Sequence, residues 1–386
     1  MEVPRAPKPR IYRGFARGPK YLYWLDKPPH RGNAATKQKR FGKAPGDPSS
    51  VSALRALASS LGLSITTVSR ALDGYSDVAA STRERVRLAA TAANYRPHAA
   101  ARRLRLGATE TVSIVLPGDP GHFDEPLYME LLAALGARLD AAGLDLIVLA
   151  ARSPTEELAL YRRLVEGRRT DGIVLARTRV DDARIRYLAG SGLPFVVMGR
   201  TETTLPYAHV DGDGTAAFAQ ATRRLLALGH REIAYVGAAP EFMFSRLRRD
   251  GWAAAMTAAG LSPAISIETA ATEHGGLKAV RALLERAPRP TAFLCATDRI
   301  AIGGLRATKE AGLVAGRNVS IVGHDNLSAS AFTEPALTTM ELPIPEVGTR
   351  LAEMLLALIG GADARDLAEV WPVLSIERAS TGPAPP

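Results

Sequence analysis

The strongest constraint on the fold is an alternation of short apolar runs with helix-length amphipathic segments between Thr111 and Val322. Strands of a parallel sheet are buried on both faces, so they appear as continuous apolar runs, and a helix joins each strand to the next. The alternation therefore predicts parallel sheets covered by helices. Strands are predicted in one series at Val112–Leu116, Leu146–Leu149, Ile173–Leu175 and Phe195–Met198, and in a second series at Ile233–Val236, Ala292–Cys295 and Val319–Val322.

Two such series predict two lobes. Helices are expected between the strands, and Ser153–Glu156 forms a capping box with proline at the first helical position. Ligands of parallel sheets bind beyond the carboxyl ends of the strands, so we expect a ligand site in the cleft between the lobes. The predicted helices are Tyr128–Ala142, Pro154–Leu164, and segments near 213–228, 246–259, 276–286 and 299–312.

The composition excludes several classes of protein. The single cysteine, Cys295, excludes an internal disulfide and a zinc knuckle. An uncharged apolar stretch long enough to span a membrane is missing from the sequence, and the arginine-rich N-terminus lacks the apolar core of a secretory signal. We therefore expect a cytoplasmic protein without membrane association. The sequence lacks GxGxxG, GxxxxGK[ST] and GxSxG motifs and any metal-ligand spacing of histidines, so neither an enzyme nor a cofactor is expected.

Positive charge is concentrated at the N-terminal end. Residues 1–50 hold 12 Lys and Arg against 3 Asp and Glu, and residues 51–106 hold 9 against 3. Such asymmetry predicts a polyanion partner for this end of the chain. Residues 1–50 contain 8 prolines and show no helical or strand period, so we expect a disordered basic extension. Three interpretations stay open for it: a solvated tail without a role, an upstream stretch included through a wrongly chosen start codon, or an arm that adds non-specific DNA affinity.

Residues 51–97 have the pattern of a helix-turn-helix. The first helix has an apolar face, Gly62 interrupts it, and a second helix follows with Ser64 as N-cap. Ser81–Glu84 is expected to be a capping box that opens a third helix. Small three-helix units without any DNA role share this pattern. The residues expected to face inward are Leu54, Leu57, Ala58 and Leu61, then Val68, Ala71 and Leu72, then Val86, Ala89, Ala90 and Ala93.

The second helix carries side chains suited to DNA. Its N-terminal end is rich in small hydroxyl residues, and a helix N-terminus favours phosphate groups. Arg70 is long enough for a bidentate contact with guanine. The helix is therefore a candidate for recognition of duplex DNA.

The sequence motifs resemble those of the lac repressor / gal repressor (LacI/GalR) family of bacterial transcription regulators, over residues 51–381. In the N-terminal part the resemblance rests on Leu61–Arg70, Thr82–Val86, Tyr95–Pro97 and Ala101–Leu104. In the remainder it rests on Asp171–Ile173, Val210–Asp211, Leu228–His230, Arg248–Gly251, Thr297–Gly303, Val322–Asp325, Leu337–Thr339 and Glu377–Thr381. His324 departs from the family, which usually has an aromatic residue before this aspartate.

For DNA binding, the resemblance implies base contacts by Ile65, Thr66 and Arg70 and mainly phosphate contacts by Ser64, Thr67 and Ser69. It also implies that residues 98–109 form a hinge helix and linker. Leu104 would enter the minor groove as a wedge, with Arg102 among the flanking phosphate anchors. A plain charged linker is the alternative for this segment.

For residues 110–381, the resemblance implies an effector-binding and dimerisation domain. The expected fold is thus an all-α helix-turn-helix head plus an α/β two-lobed periplasmic-binding-protein type I (Rossmann-like) domain. Arg248 matches an arginine that binds the effector, and Asp298 an aspartate that accepts hydrogen bonds from sugar hydroxyls. Asp211 and Asp325 have a second interpretation, as structural loop residues. The further candidates for effector contacts are His122, Phe123, Asp124, Arg200, His274 and Asp325.

The expected function is control of transcription by a homodimer that binds a roughly palindromic operator and responds to a small molecule. A sugar is the favoured effector and a nucleobase the main alternative. A soluble sugar-binding protein without a DNA role is the competing function. The sequence fixes neither the sign of the response nor the choice between dimer and tetramer.

Overall fold

The computed structural model describes residues 48–72, 75–95, 108–117 and 126–386. The chain divides into two compact units, Met1–Arg96 and Pro97–Pro386. We call them the head and the effector unit. Residues 1–47 of the predicted extension and most of the predicted hinge, including Arg102 and Leu104, lie outside the described residues. The last three residues of the predicted disordered extension, 48–50, are instead helical, because the first helix begins earlier than expected.

The described part of the head is a three-helix unit with α1 (Pro48–Leu61), α2 (Ile65–Leu72) and α3 (Ala80–Ala92). Gly62 has a φ of +66°, a left-handed conformation that suits glycine in the turn between α1 and α2. The predicted helix-turn-helix is therefore confirmed. Its small core is formed by Leu57, Ala58, Val68, Ala71, Val78, Val86 and Ala90, with Leu54, Leu61, Leu72 and Ala89 packed at its edge.

Two details of the third helix were predicted wrongly. Helix α3 begins at Ala80 after Ala79, without a side-chain cap, so Ser81 already lies inside the first turn. Instead, Arg83 organises this helix start, because its guanidinium donates to the carbonyls of Tyr75 and Val78, both at 2.9 Å. Ala93 is exposed because it follows the last helical residue.

Lobe 1 of the effector unit is built on a six-stranded parallel sheet with the order β11-β5-β4-β3-β1-β2. Apolar clusters cover both of its faces, as expected for buried parallel strands. Its strands are β1 (Thr111–Pro117), β2 (Asp145–Ala151), β3 (Gly172–Leu175), β4 (Phe195–Met198), β5 (Ala208–Gly212) and β11 (Ala368–Trp371). Its helices are α4 (Pro126–Asp140), α5 (Pro154–Glu166), α6 (Ala183–Ala189) and α11 (Ile344–Ile359).

Lobe 2 has a four-stranded parallel sheet with the order β7-β6-β8-β9. A Cβ at Gly276 would lie 2.0 Å from the carbonyl oxygen of Ile300, so glycine permits two helices to pack closely here. The strands are β6 (Ile233–Gly237), β7 (Ser266–Glu268), β8 (Ala292–Cys295) and β9 (Ser320–Val322). The helices are α7 (Gly214–Ala227), α8 (Met243–Ala258), α9 (Glu273–Leu284) and α10 (Asp298–Glu310).

The C-terminal part of the chain returns to lobe 1. Strand β10 (Thr339–Glu341) pairs antiparallel with β12 (Leu374–Ile376), while α11 and β11 between them complete lobe 1. The predicted strands and helices are all confirmed to within a few residues. The sequence pattern missed β5, β7, β10, β11, β12, α6 and α11, of which all but α11 are shorter than eight residues. Among the described residues, the helices include none long and apolar enough to cross a membrane.

Candidate DNA-binding helix and ligand cleft

Helix α2 is capped as its sequence predicts. The Thr67 amide donates to Ser64 Oγ at 3.0 Å, and the hydroxyls of Ser64 and Thr67 lie 2.8 Å apart. Val68 and Ala71 face the core of the head. The N-terminal turn of α2 is therefore fixed, with its opposite face turned to solvent.

That solvent face carries the predicted DNA-contacting residues. Ile65 is 39% exposed, Thr66 is exposed, and Thr67 and Ser69 are half-buried. Arg70 lies 2.5 Å from Asp77, with its guanidinium 4.7 Å from the ring centroid of Tyr75. An exposed ion pair of this kind is weak, so a nucleic-acid acceptor can compete for the arginine.

A cleft separates the two lobes of the effector unit, as the sequence predicts. It encloses about 960 Å³, its open mouth included. Lobe 1 contributes the residues that follow β3, β4 and β5, and lobe 2 contributes the first turns of α8 and the loops after β8 and β9. The cleft therefore lies at the carboxyl ends of both sheets.

Arg248 dominates the lobe 2 side of the cleft. Its guanidinium donates to the carbonyl of Ala296 and lies 3.9 Å from Asp325. It also packs on the ring of Phe244 at 4.9 Å. These contacts aim a charged fork of N–H donors into the cleft.

Buried acids support this arginine. Burial raises the pKa of Asp325 to about 6, against the opposing effect of Arg248. His324 lies in the cleft lining, and burial holds its pKa well below the ordinary value, so its neutral imidazole contacts Asp325 at 2.8 Å. The histidine that departs from the family pattern therefore acts here as an uncharged partner of Asp325.

Asp298 lies beneath the cleft rather than in its lining. Its carboxylate is fully buried and accepts hydrogen bonds from the Leu327 amide at 2.9 Å, the Ser330 hydroxyl at 2.6 Å and the Thr339 hydroxyl at 2.5 Å. Burial, with the nearby charge of Asp325, raises its pKa. In this structure Asp298 therefore joins α10 to the loop after β9 and to β10.

Arg200 and Asp211 form the polar part of the lobe 1 side. Arg200 Nε lies 3.0 Å from Asp211 Oδ2, but the two atoms are not aligned for a hydrogen bond. Burial raises the pKa of Asp211, and Arg200 opposes that shift. A polar ligand can therefore form hydrogen bonds with this buried pair at the cleft wall.

A second feature of lobe 1 connects the cleft to the beginning of the unit. The Asp171 carboxylate accepts the amides of Thr109 and Glu110, both at 2.7 Å. Asp171 directly precedes β3, and Ala176–Thr178, which follow the same strand, line the cleft. One short buried strand thus has the cleft at one end and the incoming chain at the other.

The structure brings together some of the predicted effector residues and separates others. Arg200, Arg248 and Asp325 line the cleft. Asp298 lies below it, and His274 is exposed in the first turn of α9 and outside the lining. His122, Phe123 and Asp124 lie outside the described residues. The sequence reasoning missed Arg177, although its position just after a predicted strand was an available signal.

Comparison with known families gives two matches. The model of periplasmic binding proteins and the sugar binding domain of the LacI family matches residues 109–374. The model of bacterial regulatory proteins of the lacI family matches residues 54–98. The two matches together contain the head helices α2 and α3 and nearly all of both lobes.

Individual relatives match over most of their length. The HTH-type transcriptional regulator RafR of Escherichia coli is 35% identical over 82% of this chain and 95% of that protein. AglR of Rhizobium meliloti is 38% identical over 86% of this chain and 95% of that protein. The crystal structure of the lac repressor dimer bound to operator and the anti-inducer ONPF has a TM-score of 0.74 at 25% identity, covering 85% of this chain and 98% of that one.

A helix-turn-helix head followed by a two-lobed unit, with arginines and aspartates in the cleft between the lobes, defines a ligand-responsive DNA-binding regulator. The chain belongs to the LacI family of bacterial regulatory proteins. The predicted family, fold class and function as a DNA-binding transcriptional regulator are thereby confirmed. The relatives matched are transcriptional regulators rather than enzymes.

Proposed function

We propose that the protein is a homodimeric repressor whose affinity for a roughly palindromic operator is set by a sugar bound in the cleft. Residues 51–97 are the DNA-binding domain, 98–109 the hinge and linker, and 110–381 the effector-binding and dimerisation domain. The protein acts in the cytoplasm, where its DNA partner lies. The competing function, a sugar-binding protein without a DNA role, does not account for the helix-turn-helix head.

On DNA, α2 lies in the major groove. Ile65, Thr66 and Arg70 contact base edges, since their side chains occupy its solvent face. Ser64, Thr67 and Ser69 hold phosphates near the helix N-terminus. Arg102 and Leu104 of the hinge act in the minor groove as anchor and wedge. Arg70 exchanges its exposed partner Asp77 for the DNA.

In the cleft, Arg200, Arg248 and Asp325 contact the effector, and Asp211 joins them. Two arginines and two carboxylates provide both donors and acceptors, which a ligand with many hydroxyl groups requires. Asp298 acts as a positioning residue, because its carboxylate already accepts three hydrogen bonds from the protein. Phe123 and Asp124 stay proposed contacts, and His274 is left out because it is exposed outside the lining.

A sugar is favoured over a nucleobase on two grounds. The matching family model describes a sugar binding domain. A related solved structure is a complex of the transcriptional regulator CelR with cellobiose, with a TM-score of 0.66, 28% identity and coverage of 85% of this chain and 99% of that one. The cleft arginines and carboxylates suit such a ligand.

The observation that carries the proposal is the position of β3 between the cleft and the incoming chain. A sugar that draws the lobes together moves the loop after β3. Because Asp171 holds the amides of Thr109 and Glu110, the end of the hinge segment moves with that strand. Effector and operator are then linked by one coupling free energy.

A two-stage experiment tests this proposal with the full chain. A thermal-shift screen of sugars and nucleobases identifies a ligand, since specific binding raises the unfolding temperature by mass action. Operator selection and a fluorescence anisotropy titration then measure DNA affinity with and without that ligand. We expect a sugar to bind and to change operator affinity. Sugar binding without any sequence preference for DNA would support the competing function instead.

A further inference from the structure

A second cavity adjoins the cleft described above. It encloses about 1120 Å³ with its open mouth, and both lobes line it. Lobe 1 contributes residues after β2 and β3 and the start of α5, and lobe 2 contributes residues after β6 and β7. The two cavities share Arg177 and Ala271 in their linings, so they meet at these two residues. We call them the inner and the outer cavity.

Backbone hydrogen bonds fix the boundary between these cavities. The Val180 amide donates to the carbonyl of Glu241 at 2.8 Å, and the Met243 amide donates to the carbonyl of Thr178 at 3.0 Å. These bonds join the loop after β3 in lobe 1 to the segment before α8 in lobe 2. The two lobes are therefore hydrogen-bonded to each other beside both cavities.

Two stacked rings also cross this boundary. Phe244 lines the inner cavity and Phe242 the outer one, and their ring centroids lie 5.8 Å apart with an interplanar angle of 17°. Arg248 packs on Phe244 at 4.9 Å, and Arg177 packs on Phe242 at 4.2 Å. The stack of rings thus has the guanidinium of Arg248 at one end, in the inner cavity. The guanidinium of Arg177 lies at the other end, at the junction where the two cavities meet.

Arg177 differs from the other cleft arginines in its partners. Arg200 and Arg248 each lie near an aspartate, whereas Arg177 makes no ion pair within residues 48–72, 75–95, 108–117 and 126–386. Its backbone has a φ of +56°, an uncommon conformation for a side chain larger than glycine. The stacking on Phe242 positions the guanidinium and leaves its N–H groups able to donate to a ligand.

The wall of the outer cavity carries both hydrogen-bond donors and hydrogen-bond acceptors. Arg179 and the buried Arg184 pair with Glu157, and Glu241 adds a second carboxylate to the wall. Hydroxyl groups find both donors and acceptors on such a wall.

We propose that the effector is an oligosaccharide of at least two sugar residues, with one residue in the inner cavity and the next in the outer cavity. Arg177 donates hydrogen bonds at the junction and thereby selects against a monosaccharide. This inference rests on the proposed sugar response and specifies the size of the sugar.

The test uses calorimetric titration of the full chain. The probes are glucose and galactose, the disaccharides maltose, cellobiose and melibiose, and the trisaccharides maltotriose and raffinose. We expect one disaccharide or trisaccharide to bind at least tenfold more tightly than either monosaccharide. Arg177→Met should weaken that binding on the order of tenfold, as loss of a charge-assisted hydrogen bond implies.

Arg162→Met is the matched control. Arg162 also packs on a ring, that of Tyr187 at 5.8 Å, but it lies outside both cavities. This control should bind the oligosaccharide as the unchanged protein does. Thermal unfolding of both variants checks that they fold.

The outcomes separate the two proposals. A monosaccharide that binds as tightly as every oligosaccharide would overturn the size inference and keep the sugar response. Equal oligosaccharide affinity of Arg177→Met and Arg162→Met would remove the junction role of Arg177 and overturn the inference as well. No heat from any of the probes, with operator binding intact, would contradict the sugar proposal itself and the inference with it.

Discussion

The head and the cleft each contain an arginine beside an aspartate, but the pair in the head is exposed to solvent and the pair in the cleft is buried. Arg70 and Asp77 in the head lie 2.5 Å apart with side chains 42% and 57% exposed. Arg248 and Asp325 in the cleft lie 3.9 Å apart with side chains only 12% and 7% exposed. Water and salt screen the first pair, whereas burial shields the second pair from both.

This difference matches what each region does. An arginine that reads DNA has to leave its resting partner, and an exposed pair releases it at little cost. An arginine that recognises a small ligand has to stay in place, and burial with several partners holds it. The arginine of the head can thus exchange its aspartate partner for DNA, whereas the arginine of the cleft keeps a fixed position.

The largest effect that separates the two regions is expected from Asp298→Ala. The substitution leaves the Leu327 amide and the hydroxyls of Ser330 and Thr339 without their buried acceptor. Stranded donors of this kind cost roughly 3–5 kcal/mol together, which corresponds to an unfolding temperature lower by roughly 10 °C. Differential scanning calorimetry measures this change. The control Asp250→Ala removes a carboxylate from exposed ion pairs and should change stability by less than about 1 kcal/mol.

Asp325→Asn probes the buried pair through pH. The pKa of Asp325 is raised from 3.8 to about 6, so its folded form binds a proton more readily than its unfolded form. The contribution of Asp325 to the free energy of unfolding is therefore greatest below pH 4. It falls by up to about 3 kcal/mol as the pH rises through about 6. Relative to the unchanged protein, the variant should become more stable as pH rises from 4.5 to 7.5. Urea denaturation at these pH values measures the difference.

Asp363→Asn is the control for that pH series. Arg365 lowers the pKa of the exposed Asp363 to about 2, so Asp363 is ionised in both folded and unfolded forms above about pH 5. Its stability difference from the unchanged protein should therefore be constant over the upper part of the range. A constant difference for Asp325→Asn as well would show that Asp325 titrates normally.

Arg70→Ala tests the exchange of partners in the head. We expect a loss of about 1–3 kcal/mol on the selected operator and relaxed preference at one base position. Anisotropy titrations against single-base operator variants, at one salt concentration, measure both. Arg87→Ala removes the same charge from an exposed pair on α3 and serves as control. An equal loss on every sequence for Arg70→Ala would contradict base recognition.

The smallest effect is expected from Asp77→Asn. Because the pair with Arg70 is exposed, its loss should change the stability of the protein by less than about 1 kcal/mol. Thermal unfolding at about 0.05 and 0.5 M salt measures this, and the difference should shrink at the higher salt. A loss of stability as large as that of Asp298→Ala would contradict the proposed difference between the head and the cleft.

The sequence predicts the head better than the cleft because the head is determined locally. The N-cap Ser64 and the buried positions Val68 and Ala71 all lie within one short segment. Their spacing in the sequence predicts all three. The predicted cap at Ser81 failed because contacts of Arg83 with the preceding loop decide where that helix begins. Such contacts leave no periodic signal.

The cleft depends on contacts between distant parts of the chain. Asp298 was identified through the family resemblance, but its hydrogen bonds come from Ser330 and Thr339, which are 32 and 41 residues away. Arg177 follows a predicted strand, yet its junction position depends on Phe242 in the other lobe. Strand ends indicate where a site lies, and the packing of the lobes decides which side chains enter it.

The most direct test of the account is the affinity of the full chain for its selected operator with and without the saturating sugar. Coupling between cleft and head predicts a change in the operator dissociation constant of about 5–150-fold at fixed salt. The change should be lost in Arg248→Met, which keeps operator binding in the absence of sugar. An operator affinity that is identical with and without bound sugar would contradict the account.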